Sequence, residues 1–216
     1  MQFKEGVTVF TANRNEVGTI GRVVIDPRTA EVTHLIVNQG LLLPDQKVVP
    51  VELVQTADAD RVTLRKEVED LEDYPNFEEQ YYREMTAAER SRTGYAQQTT
   101  SSLYWYPPYG YASPLSYPTY IPNTAVETVR NIPKRAVPLR EGATVTSVEE
   151  EPVGAVERVF TEAETDEVTH FLISQGMLFK KHKLVPADWV QSISENEVHL
   201  AVGTEQLQDL PDYEGG

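Results

Sequence analysis

Four histidines and a dense population of carboxylates are the residues of this chain that could carry chemistry, and their spacing limits what that chemistry is. His34 and His170 occupy the same word, Glu-Val-Thr-His, at 31–34 and again at 167–170. An imidazole can serve as a general base, a proton shuttle or a metal ligand. A duplicated metal site would need its other ligands duplicated too, but His182 and His199 have Gln46 and Thr63 as their counterparts. His34 and His170 are therefore expected to be structural, each holding a side-chain hydrogen bond. Thr56-Ala57-Asp58-Ala59-Asp60 is the nearest approach to a calcium loop, and it lacks the glycine and the terminal glutamate. His-Glu-x-x-His, Gly-x-Ser-x-Gly and phosphate-loop patterns do not occur. Without cysteine, disulfides and thiolate zinc sites are excluded. No catalytic centre and no cofactor are expected.

The elements that hold these residues come in two copies. Glu31 to Gly40 returns as Glu167 to Gly176, and the match runs without a gap from Glu5/Glu141 to about Pro75/Pro211. A self-match at one fixed shift is the mark of a duplication. Val7–Thr11 alternates as a strand, and Val17–Ile25 is a second strand whose two internal glycines predict a bulge or bend. Asp26-Pro27-Arg28-Thr29 is a type I turn, and Val32–Val37 returns as the other arm of the hairpin. Lys47–Pro50 is a short strand, Val51–Val54 a single helical turn, and Arg61–Leu64 a closing strand. Many short strands with frequent turns predict an all-β chain of two small tandem barrels: repeat 1 over 1–75, a connector over 76–136, and repeat 2 over 137–216. The expected core is Val7, Val9, Ile20, Val23, Ile36, Val49, Leu53 and Val62. Its counterparts are Val145, Val156, Val159, Leu172, Val185, Trp189 and Val198.

The order strand, Val17-Gly18, acidic turn at Asp26, Val32-Thr33-His34, Gly40, Val49-Pro50 and Leu53 resembles the PRC-barrel family, in both repeats and not in the connector. That family includes the cytoplasmic domain of the photosynthetic reaction-centre H subunit and the C-terminal domain of the ribosome maturation factor RimM. Neither the anchor of the first nor the N-terminal domain of the second is expected here. The resemblance therefore implies a protein-binding barrel and no particular role.

The connector carries nine of the eleven tyrosines. Asn76-Phe77-Glu78-Glu79 reads as a capping box, predicting a short helix through Tyr81, Tyr82 and Met85. Beyond Ser91 the periodicity vanishes, and a Tyr/Pro-rich run follows that includes Trp105 and Tyr106. Two readings stand for it: a largely disordered spacer, or a segment whose rings dock on a partner. The loops Leu41-Leu42-Leu43 and Met177-Leu178-Phe179 share one repeat position and are too apolar for solvated loops. They are the expected centre of a pseudo-twofold contact, within the chain or in a homodimer. The tetrad Lys180-Lys181-His182-Lys183 replaces Pro44-Asp45-Gln46-Lys47, either as a solvated basic tip or as a patch for an acidic partner.

Charge narrows the partner class. The chain carries a net −15, with 8 Lys/Arg against 15 Asp/Glu in residues 1–80 and 5 against 16 in residues 137–216. Such bodies repel phosphate backbones, so no nucleic acid is expected. No run of 18 apolar residues appears and the start has no signal-peptide pattern, so a soluble cytoplasmic protein without membrane insertion is expected. The function this favours is a non-enzymatic adaptor or scaffold for a protein partner of unknown identity. The alternative is a small-molecule- or metal-dependent enzyme with its site between the barrels.

Overall fold

A computed structural model describes residues 1–40, 45–86, 88–89, 124–175 and 181–213. The chain is all-β, built on two seven-stranded sheets and a two-stranded one. Repeat 1 supplies β1 (Gln2–Phe3), β2 (Thr8–Phe10), β3 (Glu16–Asp26), β4 (Glu31–Gln39), β5 (Asp45–Pro50), β6 (Val54–Ala57) and β7 (Arg61–Leu64). The connector supplies β8 (Glu78–Glu84) and β9 (Thr124–Arg130). Repeat 2 supplies β10 (Val137–Leu139), β11 (Thr144–Thr146), β12 (Pro152–Thr161), β13 (Val168–Gln175), β14 (Lys181–Pro186), β15 (Val190–Ile193) and β16 (Glu197–Leu200). The expected helical turn is a 3₁₀ turn at Val51–Leu53, repeated at Ala187–Trp189.

Each sheet runs in the same order, β5-β4-β3-β2-β7-β6 in the first and β14-β13-β12-β11-β16-β15 in the second. The seventh strand of each comes from the other repeat. β1 pairs antiparallel with β12, Phe3 opposite Val159, and β10 pairs antiparallel with β3, Leu139 opposite Val23. These positions are equivalent under the repeat shift, so the exchange is reciprocal. One hydrophobic core accordingly runs through both repeats and takes in Phe3 and Leu139, which are 1% and 2% exposed. All the expected core positions are buried except Leu53 and Trp189, which are half-buried and pack against that core.

Of the two glycines of the long strand, Gly21 lies at a bulge as its sequence predicts, while Gly18 answers a close approach of the backbone. A Cβ at Gly18 would collide with the carbonyl oxygen of Asn38, and one at the equivalent Gly154 would meet the Ser174 carbonyl at 2.6 Å. Only glycine lets the coiled hairpin close so tightly there. Opposite Ile36 and Val37 the register skips Gly21, a bulge repeated at Glu157 in the second sheet.

The helix read from Asn76–Glu79 is not formed: Glu78–Glu84 is strand β8, paired with β9. A cap is worth about 0.5–2 kcal/mol, and tertiary bonds outweigh it. Phe77 is fully buried, its N–H donating to the Gln46 carbonyl (2.6 Å) and its carbonyl accepting from the Asn131 N–H (2.9 Å). The Asn76 carbonyl accepts from the Asn131 side-chain amide (2.7 Å). The chain therefore leaves Phe77 extended, already beside its strand partner. A capping box does form ten residues on: Thr86 Oγ1 accepts from the Glu89 N–H (3.3 Å), and Glu89 Oε2 accepts from the Thr86 N–H (2.9 Å).

Candidate interaction surface

The duplicated Glu-Val-Thr-His word lies where the repeats meet. Thr33 and Thr169 are the extra residues of two equivalent bulges, and each hydroxyl donates to the carbonyl across the strand, Val24 or Phe160, at 3.3 Å. The Val32 N–H donates to the Asp166 carbonyl (2.9 Å) and the Val168 N–H to the Ala30 carbonyl (2.7 Å), with Glu31 opposite Glu167. Ala30 and Asp166 both adopt positive φ (57° each), which turns these carbonyls toward the other repeat. The word thus adds a second set of backbone bonds between the repeats to those of the exchanged strands.

His34, the last residue of that word, does not hold the expected hydrogen bond at Nδ1. Its Nδ1 is buried and has no hydrogen-bond partner. Burial lowers its pKa, and the Glu52 carboxylate only partly opposes this, so the ring is neutral near pH 7.

Of the residues singled out as contacts, Leu41, Leu42, Leu43, Trp105, Tyr106, Met177, Leu178, Phe179 and Lys180 lie outside the described residues. Lys181 and Lys183 are placed, and Lys183 corrects the basic-tip reading. It is 6% exposed, and its ammonium donates to the carbonyls of Gln208 (3.4 Å) and Leu210 and pairs with Asp212 (2.9 Å). Lys181 also reaches Asp212 (3.3 Å), and His182 lies 3.0 Å from Glu157. The equivalent Lys47 donates to the carbonyls of Glu72 (3.2 Å) and Tyr74 (3.0 Å). Both lysines clamp the segment that follows the last strand of their repeat. The signal was present in the sequence: the lysine is the one residue shared by two otherwise unlike tetrads.

Sequence reasoning missed a second cluster. Arg22 is buried, with its guanidinium 4.9 Å over the Phe77 ring and 2.6 Å from Glu195. Arg130 covers the same ring (5.4 Å) and reaches Glu195 (2.9 Å) and Glu78 (3.1 Å), while Arg140 lies 3.6 Å from Glu195. Burial, then the neighbouring Arg140, lowers the Arg22 pKa, which Glu195 offsets. The shared ring and carboxylate bind Arg22 of repeat 1, Glu195 of repeat 2 and the two connector ends, Phe77-Glu78 and Arg130, into one network. Among the described residues the equivalent Arg158 pairs with no carboxylate, and it donates instead to Gln2 (2.7 Å). The difference arises because Glu195 has Ala59 as its counterpart.

Beyond those ends the chain forms a separate compact unit, Glu79–Val129. Within it Arg83 bonds Glu89 (2.6 Å) and Glu127 (3.1 Å), the latter across the β8–β9 pair. Arg83, together with the Thr86 N–H, holds the Glu89 carboxyl well below the usual carboxylate range. The ribbon leaves its apolar side chains in water: Tyr81 is 52% exposed, Tyr82 74%, Val126 54% and Val129 39%. Among the described residues only Val148 joins them as a large exposed hydrophobe. Tyr and Trp are the residues enriched at binding hot spots, and clustered exposed apolar side chains mark interaction sites.

One constellation has the order of a catalytic relay. Thr146 Oγ1 is 3.1 Å from His199 Nδ1, and His199 Nε2 is 3.3 Å from Glu197. Hydroxyl, imidazole and carboxylate in series can activate a nucleophile. Here Thr146 is 8% exposed and its hydroxyl also reaches the Val198 carbonyl (3.4 Å). Thr146 and His199 face each other in the β11–β16 register, so their contact is the ordinary one between strand neighbours. A nucleophile must be open to its electrophile, and this hydroxyl is not. Among the described residues no group of three or more His, Asp or Glu is placed to hold a metal ion, and no helix is long and apolar enough to cross a membrane. No protein-family model matches the chain, and no curated protein matches it significantly.

Proposed function

We propose that the chain is a non-enzymatic protein-binding adaptor, built of two PRC-barrel-type repeats and a connector ribbon that meets the partner. The observation that carries this reading is the exposure of Tyr81, Tyr82, Val126 and Val129, apolar side chains that the ribbon's two strands present to water. A two-stranded ribbon is marginal on its own, so leaving its apolar side chains in water costs stability that a partner would restore. Each strand also has an outer edge that pairs with no other described strand, open to addition of a partner's strand. The net −15 favours a protein over a nucleic acid as that partner, and the absence of cysteine fits a reducing, cytoplasmic setting.

The test places a photo-crosslinking amino acid at Val126 of the full chain in its native cell. The expected result is one discrete protein adduct, absent when Tyr81 and Tyr82 are both changed to Ser. A crosslinking pattern no different from that of the exposed loop residue Glu164 would refute the reading.

A further inference from the structure

The duplication has inverted the charge of one pair of equivalent faces. In repeat 1 a depression is lined by Phe10, Thr11, Ala12, Arg14, Arg61 and Thr63. The Arg61 guanidinium lies 4.9 Å over the Phe10 ring, and both arginines are exposed. Neither Glu16 nor Asp60, the nearest carboxylates in sequence, lines it. The equivalents of Ala12, Arg14 and Arg61 in repeat 2 are Val148, Glu150 and Glu197. Glu149 and Glu151 flank Glu150, and Val148 is 55% exposed. The backbone is the same in both places: Arg14 and Glu150 occupy one turn with nearly identical left-handed geometry, φ 66° and 62°. So one face is an aromatic-floored hollow flanked by arginines, and the other is an exposed valine flanked by glutamates.

We propose that copies of this chain assemble head to tail, the arginine-lined hollow of one receiving Val148 and its glutamates from the next. The occupant is a second copy because the chain itself carries the complement in charge and in apolar character. The two faces differ, so the contact is heterologous, and each added copy leaves one hollow and one valine face unfilled. Among the described residues Arg14, Arg61 and Glu150 have no ion-pair partner within the chain. Pairing of these three across the contact therefore breaks no ion pair among the described residues, and Glu197 brings to it a carboxylate that already lies 3.3 Å from His199. This proposal does not depend on the ribbon's role.

Sedimentation equilibrium of the full chain, from micromolar to millimolar, tests it. The average mass of the unmodified protein is expected to rise with concentration. Two double reversals, Arg14→Glu/Arg61→Glu and Glu150→Arg/Glu197→Arg, are each expected to remain monomeric. Mixed in equal amounts they should associate again, and the quadruple reversal should associate as the unmodified protein does. The second double variant guards against a trivial cause. It makes an acidic chain less negative, so relief of general repulsion would strengthen association, whereas loss of the complementary face abolishes it. Arg14→Glu alone serves if the first double variant misfolds, since Glu150 already occupies that turn in repeat 2. An unmodified protein that stays monomeric throughout, or a Glu150→Arg/Glu197→Arg variant that associates at least as strongly, would overturn the proposal.

Discussion

Single buried polar groups carry much of the specificity of this molecule. His34 places an unpartnered ring nitrogen in the first sheet, and burial lowers its pKa below the ordinary 6.5. The linkage has a definite sign. The unfolded ring takes up a proton more readily than the folded one, so His34 favours the fold above about pH 6.5 and loses that contribution as pH falls toward its lowered folded value. Thermal melts from pH 7.5 downward, at about half-unit steps, should show a decline that His34→Gln makes shallower. Equal slopes for both proteins would place the titrating group elsewhere. Lys183 is buried with its ammonium bonded to the Gln208 and Leu210 carbonyls and to Asp212. Replacing it with Met leaves the Leu210 and Gln208 carbonyls without their lysine donor and Asp212 with Lys181 alone, at a cost of about 1–3 kcal/mol in urea unfolding.

Among the elements, the shortest strands decide the most. β1 and β10 are two and three residues long, yet each completes the sheet of the other repeat and buries one large side chain in the shared core. Phe3→Ala should therefore cost about 3–5 kcal/mol, the usual penalty for emptying a packed aromatic site. Its effect should reach repeat 2 directly, because Phe3 pairs with β12. Hydrogen exchange of the β12 amides in the variant checks this, and protection lost only in β2–β7 would contradict it. The ribbon follows the same logic from its ends. Phe77 and Arg130 are fixed by Arg22 and Glu195, so the strands beyond them start in pairing position, whatever the helical preference of Glu78–Glu84.

At the scale of the whole molecule the two repeats make one folding unit, Met1–Glu78 with Arg130–Gly216. Reciprocal strand exchange and the paired bonds Val32 to Asp166 and Val168 to Ala30 tie their stabilities together. Cutting the chain within 90–123 should leave two pieces that copurify and unfold in a single transition. Either piece alone lacks the strand that completes its sheet, so neither should give a folded monomer. A monomeric, cooperatively melting fragment of 124–216 would show that the exchange is dispensable.

The sequence by itself determined the all-β class, the duplication and its register, the turns, the glycine bulge of the long strand and nearly all of the core. Each of these rests on local pattern: alternation, β-branched residues, turn chemistry and a constant shift of 136 residues. It did not reveal that Phe3 and Leu139 change sheets, since two- and three-residue strands carry no periodicity to read. Nor did it reveal that Lys183 is buried, because a lysine beside Lys181 and His182 looks solvated until Leu210 and Asp212 fold back over it. At Asn76–Glu79 the same reason separates local pattern from structure. A capping box is local, whereas the burial of Phe77 under Arg22 and Arg130 joins residues more than fifty positions apart. The tertiary structure decided wherever a contact distant in sequence outweighed a local preference of about 1 kcal/mol.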